Sequence, residues 1–153
     1  MTGVQTCALP ISYFEHVNLH DVVPGMKKIP DGTVLKCKII SAKKVQYPDK
    51  VTGEEKERIA IKSIVDGSSE EFAGREINTT IWQDKSDAKR KISYEQLRKI
   101  MDATGIKQDG ATMTEWLESL VNEQAMLEAP VRNKPGSDGQ PWPELVFLAA
   151  RPA

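Results

Sequence analysis

The feature that most constrains this chain is a change of period along its length, from two residues to about 3.6 and back again. After the turn signal Ile29-Pro30-Asp31-Gly32, Leu35, Cys37 and Ile39 alternate with Lys36 and Lys38. That is the pattern of a strand with one face in a core and the other in water. Residues 46–57, with Tyr47, Pro48, Asp49 and Gly53, read as the loop of a hairpin. A second strand over 58–65 sets Ile59, Ile61 and Val65 against Arg58 and Lys62, and Asp66-Gly67 is a turn pair. A third strand over 75–82 puts Ile77, Thr79 and Ile81 on one side and Asn78, Thr80 and Trp82 on the other. If the registers match, an aromatic ring shares the lysine-bearing face.

The helical period then takes over. Ser93 with Gln96 predicts a capping box, Leu97, Ile100 and Met101 the apolar stripe, and Gly105 the stop. Thr112 with Glu115 repeats the signal ahead of Trp116, Leu117, Leu120 and Val121. A fourth strand is expected over 124–132, a loop over 133–140 and a fifth strand over 144–150. The expectation is therefore a mainly β chain with a helical insert. Three strands, two short helices and two strands is the order of a five-stranded OB-fold Greek-key barrel, in which the loops at 46–57 and 133–140 flank the ligand face.

At 153 residues, 39% hydrophobic and 28% charged, the chain suits one folded domain. No run approaches the roughly 20 apolar residues of a membrane-spanning helix, and a cytoplasmic location is expected by default. Residues 1–12 read as the in-frame translation of a sequencing-library adapter joined to a truncated reading frame, and are set apart from the fold. Residues 13–30 read as an irregular arm and 31–153 as the nucleic-acid-binding domain. Setting Cys7 aside leaves Cys37, a small core hydrophobe, with no cysteine to pair with.

The net charge of −1 disfavours a strongly basic binder, but its distribution is uneven. Residues 33–62 carry eight cations against four carboxylates, and residues 85–100 six against two, whereas 114–128 holds four glutamates and no cation.

Pro30-Asp31-Gly32, the long first hairpin, Asp66-Gly67, Phe72-Ala73-Gly74-Arg75 and the helix over 97–105 together resemble the phage-type single-stranded DNA-binding OB-fold proteins. The resemblance spans nearly all of residues 14–152. It implies coating of single-stranded DNA during phage replication or recombination, in the host cytoplasm, with replication or recombination proteins as further partners and room for an oligomer. Some such proteins end in an acidic tail; this chain ends Ala149-Ala150-Arg151-Pro152-Ala153, so recruitment through a tail is not expected.

Sequence-tolerant binding needs cations for phosphates and aromatic faces for bases. Lys36, Lys38, Arg58 and Lys62 with Trp82 form the expected site, Tyr47 and Trp142 flank it, and Arg75 beside the Gly74 turn is a further phosphate contact. The competing reading is a solvated face whose lysines discourage edge association, with the tryptophans covering core edges. Trp116, at helical spacing with Leu120, belongs to the core. His16 and His20 lack the carboxylate pattern of a metal site. No phosphate-binding glycine loop, nucleophile elbow or Cys–His pair is present, so neither an enzyme nor a cofactor is expected. The second function class is a protein–protein adaptor built on the same barrel, with the acidic second helix and the N-terminal arm as its contacts to a replication or recombination partner.

Overall fold

The computed structural model describes residues 15, 18, 28–69, 71–83, 86–136 and 141–153. Most of the expected arm, His16, His20, Cys7, Lys85 and positions 137–140 of the last loop lie outside these residues.

Three strands follow the first turn: β1 (Val34–Pro48), β2 (Glu55–Val65) and β3 (Glu76–Trp82). Two helices come next, α1 (Asp87–Thr104) and α2 (Met113–Asn122), then β4 (Met126–Pro135), β5 (Pro141–Leu145), a 3₁₀ turn (Phe147–Ala149) and β6 (Arg151–Pro152). All strands run antiparallel in the order β3-β2-β1-β4-β5, with β6 paired to β4. The mainly β class with two helices between the third and fourth strands is as expected.

The strand count and closure are corrected. Among the described residues six strands form one sheet whose backbone ladder is open, instead of five in a closed barrel. The expected last strand over 144–150 breaks at Val146 into the 3₁₀ turn, and β6 follows beyond it, held by Leu127↔Pro152 and Glu128↔Arg151. Pro141 and Pro143 lack the N–H that a doubly paired strand must donate, which suits β5 to a sheet edge. Edges β3 and β5 still meet, because the Leu145 N–H donates to Thr79 Oγ1 at 3.1 Å in a buried position.

Within β1 the ladder to β2 slips between Ile39↔Ser63 and Ser41↔Lys62, an extra residue at Ile40. Before the bulge Leu35, Cys37 and Ile39 face the core; after it Ala42 does, opposite Ile61. The expected hairpin loop over 46–57 shortens to residues 49–54, because the strands continue pairing as far as Pro48↔Glu55. Gly53, at φ 74°, takes the left-handed position there and donates to Asp49 O at 2.9 Å.

The core joins these strands to the helices through Ile39, Ile61, Ile77, Ile100, Leu117, Leu120, Leu127 and Phe147, each at most 1% exposed. Cys37 is fully buried, and burial pushes its thiol up to about 12. Helix α2 begins as expected: Thr112 and Glu115 exchange both capping hydrogen bonds. Trp116 is buried, and its indole N–H donates to Ile106 O at 2.7 Å. Helix α1 begins seven residues earlier than the expected Ser93–Gln96 cap, with Ser86 as N-cap accepting from Lys89 N. Ser93 therefore lies inside the helix, its hydroxyl 2.8 Å from Trp82 O and 3.3 Å from Lys89 O. The run Lys89-Arg90-Lys91 lies in the first turns of α1.

The turn before β1 is locked to β4. Asn133 donates through Nδ2 to Ile29 O and to Asp31 Oδ1, and through its backbone N–H to the same oxygen. Those bonds hold the Asp31 carboxyl below its usual range. No helix among the described residues is long and apolar enough to cross a membrane.

Candidate nucleic-acid interface

Residues paired across an antiparallel ladder share a face, so register decides which side chains meet. Across β1, β2 and β3 the rows Val45–Arg58–Trp82, Lys43–Ala60–Thr80 and Ser41–Lys62–Asn78 lie on the outer face, away from Ile61, Ile77 and Ile81. Tyr47, opposite Lys56, completes this face at the hairpin end. Lys38 continues it toward β4, opposite Ile64 and Met126, and Lys36 lies opposite Glu128.

At the hairpin end three of the expected residues converge. The Tyr47 and Trp82 rings meet edge to face, with centroids 5.5 Å apart and an interplanar angle of 86°. The Arg58 guanidinium carbon lies 5.8 Å from the Tyr47 centroid and 5.7 Å from that of Trp82, a cation against two π-systems. Arg58 Nε is buried with no hydrogen-bond partner among the described residues. Trp82 is nevertheless 46% exposed, so the cluster keeps an open aromatic face.

The short loop behind Tyr47 is tightly organised. Asp49 Oδ1 accepts from the N–H groups of Val51 and Thr52, and Lys56 Nζ donates to Oδ2 at 2.7 Å. The Lys56 contact first, then the two N–H groups, hold the Asp49 carboxyl far below the usual carboxylate range. The loop thus fixes the strand end that carries Tyr47.

The other expected site residues are more dispersed. Lys62 lies 3.7 Å from Glu76. Glu128, opposite Lys36 in the ladder, also accepts from Arg151 Nε at 2.9 Å. Arg75 sits before β3, at the end opposite Trp82; its backbone N–H donates to Phe72 O and its carbonyl accepts from Val65 N. Trp142, 53% exposed, is opposite Lys134 on the β4–β5 hairpin. That hairpin extends past Val34, the end of β1 remote from Tyr47, so Trp142 does not join the Tyr47–Arg58–Trp82 cluster.

Three residues outside the expected set border the cluster. Lys43 reaches the outer face because the bulge at Ile40 reverses the alternation, an event that period alone does not reveal. Arg90 and Tyr94, one helical turn apart on α1, line a groove with Arg58 and Trp82. An i, i+4 cation–aromatic pair in a basic stretch was their only sequence signal. Among the described residues no three His, Cys, Asp or Glu side chains are grouped to hold a metal ion. A scan against protein-family models finds no match, and neither does a search of curated proteins.

Proposed function

We propose that this protein binds single-stranded DNA with little sequence preference, as a phage-type replication or recombination protein, on an OB-fold variant whose barrel is incompletely laddered. The observation that carries the reading is the Tyr47–Arg58–Trp82 cluster: a guanidinium packed against two rings in mutual contact, one of them half open to solvent, on a face that also bears Lys38 and Lys43. Stacking on aromatic rings tolerates any base, and a cation beside the ring meets the phosphate that follows. The barrel reading is supported by the position of both helices between β3 and β4, by the sharing of β1 between β2 and β4, and by the Thr79–Leu145 hydrogen bond that draws the edge strands together.

The test is intrinsic tryptophan fluorescence during titration with oligo-dT at low and high salt. Quenching that weakens as salt rises is the expected result, since the protein's cations release counterions condensed on the phosphates. A folded protein that shows no quenching at low salt overturns the reading and leaves the protein–protein adaptor, acting through the same scaffold, as its replacement.

A further inference from the structure

The outer-face cluster does not end at the edge of the sheet. Beyond Trp82, Gln83 prolongs the β2–β3 pairing: its N–H donates to Glu57 O, and its side-chain Oε1 accepts from Glu57 N at 2.6 Å. The chain then turns into α1, and the Ser93 hydroxyl, 2.8 Å from Trp82 O, ties the helix to the end of β3. Between these elements lies an open groove of about 450 Å³. Arg58 and Trp82 form one wall, Arg90 and Tyr94 the other, and Ile81 and Leu97 contribute apolar surface. Because Arg58 and Trp82 belong both to the cluster and to the groove, the two are one continuous surface.

The groove has the chemistry of a nucleotide site. Tyr94 is 62% exposed, one residue after the serine that fixes the helix, so its ring is presented by a rigid element and not buried by it. Three cations line the groove, Lys44, Arg58 and Arg90, against the single carboxylate of Glu57. Lys44 lies 3.9 Å from Glu57, and Arg90 lies 3.6 Å from the exposed Asp87, a contact that solvent screens heavily. The groove is thus lined by an excess of positive charge, two aromatic residues and apolar surface.

We propose that a bound DNA strand passes over Trp82 and turns into this groove, where Tyr94 stacks a base and Arg90 holds a phosphate. The inference rests on the single-strand-binding reading and extends its path from the sheet onto α1. It makes α1 part of the binding surface and not merely a cover for the core, where only Leu97, Ile100 and Ala103 of its 18 residues are buried.

The experiment compares the wild-type chain with Tyr94→Ala, Tyr94→Phe and Trp82→Ala, using oligo-dT from very short to long. Loss of one stacked base is expected to weaken long oligonucleotides roughly 5- to 150-fold in Tyr94→Ala, with wild-type affinity restored in Tyr94→Phe. Oligonucleotides too short to reach α1 are expected to bind Tyr94→Ala as they bind wild type, while Trp82→Ala weakens every length. If Tyr94→Ala binds long oligonucleotides normally and Trp82→Ala does not, the groove is excluded and the sheet face stands. A Phe variant as weak as the Ala variant overturns stacking. If wild type binds no oligonucleotide, both readings fall. Tyr94 is exposed, so these variants are expected to keep the wild-type melting temperature.

Discussion

The two ends of the sheet each present a tryptophan beside a cation, but with opposite electrostatics. At the hairpin end, Arg58 lies against Trp82 and Tyr47, and its Nε finds no acceptor among the described residues. At the β4–β5 end, Lys134, opposite Trp142, is 2.7 Å from Glu144, a residue only 9% exposed. The first pair keeps an unsatisfied donor, buried at Nε, beside a ring left half open to solvent. The second is already satisfied from within the fold. Proximity of an aromatic and a base in sequence does not separate the cases; the third partner does.

The contrast is most directly broken by exchanging the tryptophans. Trp82→Ala is expected to weaken oligo-dT binding roughly 5- to 150-fold, while Trp142→Ala leaves it within the error of the titration. Equal losses would mean that both ends bind DNA. Arg58→Gln comes next: removing one phosphate contact is expected to flatten the log–log salt dependence of binding by about 0.7. An unchanged slope would make Arg58 a support for the rings and not a phosphate ligand.

Lys134→Ala sharpens the other side. Without its partner the Glu144 carboxylate stays poorly solvated, and a stability loss of about 1 kcal/mol is expected in urea unfolding, with DNA affinity unchanged. The smallest effect concerns the loop that fixes Tyr47. The Asp49 carboxyl is depressed in the fold, so its stabilisation is complete above the ordinary value of 3.8 and is lost as pH falls from there through the folded value. Asp49→Asn is expected to remove that share of acid sensitivity, and the wild-type amide resonances of Val51 and Thr52 should hold steady down to about pH 4.

The Trp82 side of this contrast was legible in the sequence. Strict alternation placed Ile77, Thr79 and Ile81 inward and Trp82 outward, and the observed Arg58↔Trp82 pairing gives the register in which cation and ring share a face. The Thr112/Glu115 box and Trp116 were equally plain, because a cap and an apolar stripe are local signals. The start of α1 was not. Asp87, Lys89, Arg90 and Lys91 give no apolar stripe, so the pattern began only where Leu97 and Ile100 touch the core, and Tyr94 on the exposed side went unweighted. The separation of Trp142 from Trp82 was equally hidden, since it depends on how far β4 runs past β1.

The extra residue at Ile40 behaves like a frameshift written into a strand. Counted in twos from Leu35, Tyr47 would fall in phase with the core positions; with one position inserted it lands beside Arg58 and Trp82. The composition of the binding face is therefore set by counting as much as by chemistry. Deleting Ile40 would leave Ser41, Lys43 and Tyr47 on the outer face, whereas a regular ladder that kept Ile40 in step would turn Tyr47 to the opposite side of the hairpin and bring Lys44 outward in place of Lys43. A variant that straightened the bulge with Ile40 in place would preserve every proposed ligand and still lose the site, and substituting the ligands one at a time would never expose the reason.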